Sequence, residues 1–148
     1  GKISFKIIGD GGDSATLEKI TKGKQLDNIE FLKPMPRKDV LSYYRTADIL
    51  FLHLNNVSAF EKVLPSKIFE YAATGKPIVA GVSGYAAHFL QEHVVGVEIF
   101  DPQDIEGMIN AINRSLDGPV SFNRTEFCRK FDRDTIMQKM ACDLLALT

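Results

Sequence analysis

The sequence has almost no excess charge: 18 Lys and Arg against 19 Asp and Glu leave a net charge of −1 over 148 residues. A general nucleic-acid binder draws its affinity from a clustered cationic surface, and this balance argues against one. Long apolar runs are missing as well. A membrane-spanning helix needs about 18 consecutive apolar residues, and the densest run here, Ile49-Leu50-Phe51-Leu52, is the size of a strand. Cysteine is scarce. Cys128 and Cys142 show no C-x-x-C spacing, which suits a reducing compartment and predicts two packing residues rather than a disulfide or a metal pair. Gly1-Lys2-Ile3-Ser4 shows neither a signal peptide nor a lipidation pattern. Without a secretion signal the N-x-[ST] sequons at Asn56, Asn113 and Asn123 are chance matches. Repeats, low-complexity runs and linkers are also absent. With 45% apolar and 25% charged residues, a chain this long can bury roughly 70% of its unfolded surface in one core. The expectation is one soluble, cytoplasmic domain.

What is present is a regular alternation of short apolar runs and amphipathic stretches. Ser4 to Ile8 runs into Gly9-Asp10-Gly11-Gly12, which predicts a buried strand ending in a glycine turn and feeding a helix. Leu17 and Ile20 share a face of that helix, from about Ser14 to Lys22. Ile29 to Leu32 is a second strand, closed by Lys33-Pro34-Met35-Pro36, where proline removes ladder donors. Val40, Leu41, Tyr44 and Ala47 recur at helical spacing and predict a helix over Arg37 to Thr46. Asp48 to Leu54 is the most apolar strand and reads as buried on both faces.

After a loop from Asn55 to Leu64, a helix starts near Pro65-Ser66. It stops at Thr74-Gly75-Lys76-Pro77, with glycine past the end and proline beyond. Pro77 to Ala80 is a strand, Tyr85 to Gln91 a helix, and Val97 to Phe100 another strand. In Asp101-Pro102-Gln103-Asp104, Asp101 suits a cap, Pro102 the first helical position and Asp104 the positive end of the dipole. Behind them Ile105, Met108, Ile109, Ile112 and Leu116 form an amphipathic stripe. Met137, Met140, Ala141, Leu144 and Leu145 repeat that pattern in a tail helix from about Thr135, expected to dock. Such alternation predicts an α/β fold, a parallel sheet with helices on both faces. Ligands bind beyond the carboxyl ends of such strands, which points to Gly9–Gly12, Lys33–Pro36, His53–Ser66, Gly81–Tyr85 and Asp101.

Three motif tests fail. Gly9-Asp10-Gly11 begins like the dinucleotide fingerprint, but the third glycine position is Ser14 and the next strand ends at Lys33 without an acid for a ribose. No segment supplies a phosphate-binding P-loop. The central strand ends Phe51-Leu52-His53-Leu54, without the acid that a phosphate-accepting receiver domain needs. The three histidines do not cluster: His88 and His93 lie on different faces of a helix and read as surface or core residues. His53, at a strand's carboxyl end, is a candidate ligand contact.

One segment is not generic: Val63-Leu64-Pro65-Ser66-Lys67-Ile68-Phe69-Glu70-Tyr71-Ala72-Ala73-Thr74-Gly75-Lys76-Pro77. A helix starting at Pro65-Ser66 offers backbone N–H groups and a positive dipole end to an anion, and Lys67 adds a cation. Glu70, three residues on, lies on about the same face and can accept hydrogen bonds from paired ribose hydroxyls. The plain alternative is an exposed Lys67–Glu70 ion pair worth a few tenths of a kcal/mol.

This stretch resembles the signature of the GT-B retaining glycosyltransferases of group 1 (family four), which use nucleotide-sugar donors. The resemblance extends over nearly the whole chain, as the carboxyl-terminal donor-binding half of that Rossmann-like fold. Phe5-Lys6-Ile7-Ile8-Gly9-Asp10-Gly11 resembles the family's strand and GDG turn. Ile29-Glu30-Phe31-Leu32, Val40, Tyr44 and Ala47-Asp48-Ile49 resemble its next strand, helix and central strand, and Phe100-Asp101-Pro102-Gln103-Asp104-Ile105 its DPxD helix start. The PSKIFEY wording is similar to that of bacterial transferases building capsule and lipopolysaccharide sugars.

The resemblance implies that Glu70 is the second glutamate of an E-x7-E motif, the ribose ligand. At the first glutamate's position stands Lys62, with Glu61 beside it. Either Glu61 substitutes after a loop shift or this branch handles its sugar differently. Val63, Leu64 and Pro65 would bring backbone amides to the donor, Ser66 and Lys67 would line the diphosphate, and Lys33 would lie near the base. The glycine turn Gly9-Asp10-Gly11, by its likeness to the family's GDG turn, and His53, by its place at a strand's carboxyl end, are further donor-site candidates.

The resemblance further implies that an amino-terminal acceptor domain, and the donor domain's first strand and helix, lie outside this sequence. The strands Ser4–Ile8 and Asp48–Leu54 are then expected either to pair directly or to have another segment or chain fill the gap between them, since an unfilled slot would expose apolar edges. The implied function is transfer from a UDP- or GDP-linked sugar to a saccharide or lipid-linked acceptor in surface polysaccharide synthesis, the chain alone being inactive. The full-length enzyme would be cytoplasmic or peripheral to the inner face of the membrane. No cofactor and no metal are expected, since no DxD-like acid pair sits at the ligand edge. The alternatives are a nucleotide-sugar epimerase of the same fold and a non-catalytic α/β binding module.

Overall fold

A computed structural model describes residues 3–146; Gly1 and Lys2, read above for a leader, lie outside the described residues. The elements follow as β1 (Phe5–Ile8), α1 (Ser14–Gly23), β2 (Ile29–Leu32), α2 (Arg37–Thr46) and β3 (Leu50–His53). After a 3-10 segment (Ser58–Lys62) come α3 (Lys67–Ala72), β4 (Ile78–Gly81), α4 (Gly84–His93), β5 (Val97–Phe100), α5 (Ile105–Asp117), α6 (Thr125–Lys130) and α7 (Arg133–Leu145). Every ladder is parallel, in two sheets, β1–β2 and β3–β4–β5. The fold is the expected α/β class with parallel strands and helical crossovers. The chain divides into two compact units, one ending at Arg45 and one starting at Thr46.

In the first unit β1 and β2 pair in register, Phe5 with Ile29 through Ile8 with Leu32. The expectation of a buried first strand is not met: Phe5 and Ile7 are exposed, as are Leu17 and Ile20 on α1. A two-stranded ladder gives β1 one neighbour, β2, and Tyr44 of α2 is the buried hydrophobic side chain of the unit.

The second unit has a core on each face of its sheet. Ile78 and Ala80 of β4 point one way, with Leu52 of β3, against Ile68 and Ala72 of α3, Ala86, Phe89 and Leu90 of α4, and Phe127 of α6. Val79 points the other way, with Phe100 of β5, against Met108, Ala111 and Ile112 of α5. β4 is therefore buried along its whole length. Ile68, Ile78, Leu90 and Val79 are the largest fully buried side chains, each stabilising by about 1.5–3 kcal/mol relative to exposure.

Several expectations are corrected here. β3 is an edge strand covered on one face only: Leu50 and Leu52 are buried while Phe51 and His53 stay exposed. The α5 cap is Asp104, whose carboxylate accepts from the Gly107 N–H at 2.8 Å, while Asp101 accepts from the Gln103 N–H at 3.0 Å in a local turn. On α5, Ile112 is buried and Met108 packs beside it, but Ile105, Ile109 and Leu116 remain exposed. α6 has no counterpart in the sequence-based elements. The tail helix α7 packs on α6 yet buries none of its residues. Cys128 and Cys142, expected to be packing residues, are both free and exposed, because they lie on the open sides of α6 and α7.

Candidate functional site

At the carboxyl end of the first sheet, the Gly9 N–H donates to the Leu32 carbonyl at 3.1 Å. That bond brings the Gly9-Asp10-Gly11 turn beside Lys33, which follows the end of β2. Ser14 at the start of α1 engages the turn: its hydroxyl donates to the Asp10 carboxylate at 3.2 Å and to the Gly11 carbonyl. Asp10 is thus committed to holding the turn.

In the second unit, His53 ends β3 and Gly81 ends β4, paired in register. The His53 Nε2–H donates to the Pro102 carbonyl at 3.0 Å. The His53 and Phe100 rings close over Gly81, where a Cβ would lie 2.5 Å from His53 Cδ2 and 2.6 Å from Phe100 Cζ. This small aromatic platform ties the end of β3 to the loop that precedes α5.

The chain then crosses through the Ser58–Lys62 segment, which packs on α4, to α3. Lys62 ends the segment and is exposed, as is Glu61. Val63 is exposed, whereas Leu64 packs against the core. Ser66 adopts helical φ and ψ and makes no side-chain cap bond. α3 spans six residues, shorter than its sequence pattern suggests, so formal charge outweighs helix dipole at this site. Ile68 and Ala72 anchor one face of α3. On the other face the Lys67 Nζ donates to Glu70 Oε2 at 2.9 Å, with the Lys67 side chain 48% and the Glu70 side chain 23% exposed. The two residues singled out from the sequence are therefore in direct contact, and Glu70 is the more sheltered of the two.

Sequence reading missed the residue that holds the far end of α3. Arg124 is 5% exposed and donates to the carbonyls of Val95 (2.8 Å), Lys76 (2.9 Å), Gly96 (3.3 Å) and Ala72 (3.4 Å). Burial pushes its pKa down to about 10, which still leaves it charged at neutral pH. The Lys76, Val95 and Gly96 carbonyls precede β4 and β5 while Ala72 ends α3, so α3 runs from the carboxyl edge of the sheet to the edge that Arg124 ties. No local pattern in Phe122-Asn123-Arg124-Thr125 announces this role.

Two open clefts lie about α6, one of about 500 Å³ lined by Glu126, Arg129, Lys130 and Thr135 and one of about 480 Å³ lined by Asn123, Thr125, Glu126 and Arg129. They lie on the Arg124 side of the sheet rather than at the strand ends, where the topology of a parallel sheet places ligands, and the topology is the better guide. Among the described residues no group of three or more His, Cys, Asp and Glu could hold a metal ion, and no helix is long and apolar enough to cross a membrane.

Comparison with known proteins bears on this arrangement. A protein of Escherichia coli (strain K12), WcaI, named for colanic acid biosynthesis glycosyl transfer, is 26% identical over 146 residues, covering 96% of this chain and 36% of its own. A phosphatidylethanolamine N-methyltransferase of the yeast Meyerozyma guilliermondii is 30% identical over 100 residues, 68% of this chain but 11% of its own length. The chain thus spans about a third of one relative and a tenth of the other. The model of the family "Glycosyl transferases group 1" matches residues 1–135, which takes in the glycine turn, the His53 platform and α3. The chain belongs to the group 1 glycosyl transferases.

Proposed function

We propose that this chain is the nucleotide-sugar-binding part of a retaining GT-B glycosyltransferase. The observation that carries the reading is the Lys67–Glu70 pair on α3, in a helix whose first turn follows the carboxyl-edge loop of β3 in a group 1 chain. The donor is a UDP- or GDP-linked sugar, and no further cofactor takes part. Lys67 binds the diphosphate, with Ser66 beside it and the Val63–Pro65 backbone lining the approach. Glu70 accepts hydrogen bonds from the ribose hydroxyls, and charge-assisted hydrogen bonds of that kind are the stronger ones. In transfer, Lys67 stabilises the departing diphosphate, a preorganised electrostatic contribution. His53, at the carboxyl end of β3, is a further donor contact.

The whole enzyme places the sugar on a saccharide or lipid-linked acceptor in surface polysaccharide synthesis, a role supported by the colanic acid name of WcaI. The acceptor is held by a further domain, and this chain alone transfers nothing. The competing reading is a plain surface ion pair in a non-catalytic module, which the 2.9 Å Lys67–Glu70 contact also satisfies.

Amide NMR titration of the chain with UDP, GDP and ADP, repeated on Glu70→Ala, separates the two. The donor reading expects saturable shifts for UDP or GDP at Ser66 to Glu70, lost in the variant. A well-dispersed spectrum indifferent to all three nucleotides would refute it.

A further inference from the structure

The Ser58–Lys62 segment carries Glu61 and Lys62, and the main chain of Glu61 packs directly on Gly84. Gly84, the first residue of α4, has φ +59°. A Cβ built there would lie 2.3 Å from the Glu61 carbonyl oxygen, 2.8 Å from its Cα and 2.9 Å from its carbonyl carbon. All three atoms are main chain, so no side-chain rotation could make room. Any side chain at position 84 must push the segment away, by about 1 Å to reach ordinary van der Waals separation. Two independent reasons thus require glycine: the left-handed backbone and the Glu61 main chain seated on it.

We propose that Gly84 is a positioning residue: by admitting the Glu61 backbone it sets where the Ser58–Lys62 segment lies, and through that segment the sugar end of the donor site. The functional half rests on the donor-site reading above. The nucleotide end depends on α3, which Ile68, Ala72 and Arg124 anchor independently of Gly84. Displacing the segment therefore affects the two ends unequally, and a misplacement of about 1 Å at a binding group is enough to cost much of its contribution.

The test uses Gly84→Ala and Gly84→Asn, the second because asparagine tolerates the left-handed region while still carrying the obstructing Cβ. The control is Gly96→Ala, at φ +71°, where the added Cβ would meet the Phe122 ring instead, 2.3 Å from Cδ2. Amide spectra are recorded first, then titrations with UDP against UDP-glucose and GDP against GDP-mannose. Both Gly84 variants are expected to move the amides of Ser58 to Lys62 most. Binding of the sugar nucleotide should weaken about five-fold, roughly 1 kcal/mol, while the free nucleotide changes less than about two-fold. Gly96→Ala should lower stability and leave the Ser58–Lys62 amides and this ratio unchanged.

Unmoved Ser58–Lys62 amides in both Gly84 variants, or equal losses for nucleotide and sugar nucleotide, would overturn the proposal. A wild-type chain that binds none of the four ligands overturns the donor-site reading and the functional half of this one. The amide shifts still decide whether Gly84 places the segment.

Discussion

Removing the Arg124 side-chain charge is the most demanding perturbation available in this fold. In Arg124→Met the buried volume is nearly kept, but the carbonyls of Val95 and Lys76 lose donors at 2.8 and 2.9 Å, and those of Gly96 and Ala72 lose donors at 3.3 and 3.4 Å. A fully buried carbonyl left without a partner costs about 1–3 kcal/mol, and the part-buried carbonyls of Val95 and Lys76 lie toward the lower end of that range. The two short bonds dominate, and the two long ones add little. Against this, the guanidinium no longer has to be desolvated, the same burial that holds its pKa down to about 10. The net expected loss is about 2–3 kcal/mol, a large share of the roughly 5–15 kcal/mol that holds a domain together. In a chain of this size that lowers the thermal midpoint by on the order of 10 °C. Arg124→Lys keeps the charge but presents one compact ammonium to carbonyls on several segments, so it should recover less than half of the loss. The assay is urea unfolding followed by far-UV circular dichroism, with equal slopes confirming comparable denatured states. A Met variant within about 1 kcal/mol of the wild type, or a Lys variant equal to it, would show that water or backbone adjustment satisfies these carbonyls and that the reasoning is wrong.

Two further outcomes follow from the helix caps. Asp104→Ala is expected to destabilise by about 1 kcal/mol, and Asp101→Ala by clearly less, because only Asp104 meets an otherwise unpaired first-turn N–H; equal losses in chemical denaturation would restore Asp101 as the cap. Asp132 caps α7, and the Thr135 backbone N–H holds its carboxyl below the usual carboxylate range. A depressed carboxyl pKa contributes stability above the unfolded value and loses it as the pH falls through the folded one. Helical signal from α7 should therefore persist through mildly acidic solution and fade only below the usual carboxylate range, and Asp132→Asn should remove that acid transition from the circular dichroism profile.

Much of the secondary structure was readable from local periodicity. The predicted spans of β2, α2 and β5 coincide with those observed, and β1, α1 and β4 differ by a residue or two, because apolar spacing and turn residues act between near neighbours. α3 was located correctly but drawn too long, since Ala73 and Thr74 fit a helical pattern equally well with or without the last turn. The contact between Lys67 and Glu70 was also legible, because an i, i+3 spacing places both on one helix face. α6 escaped notice because six residues are too few to show a period. Asp101 and Asp104 both suit a cap by type, and only the phase of α5 chose between them.

The sequence by itself therefore determined the order of strands and helices, the parallel α/β class, and the charged pair at the start of α3. Each of these rests on interactions between residues a few positions apart. Tertiary structure alone decided that β3 is covered on one face, that the apolar stripe of α7 stays exposed, and that Cys128 and Cys142 are not in the core. It alone seated the Glu61 backbone on Gly84 and gave Arg124 acceptors 28 to 52 residues away in sequence. Burial and long-range hydrogen bonding depend on what lies across from a side chain, and no local pattern carries that.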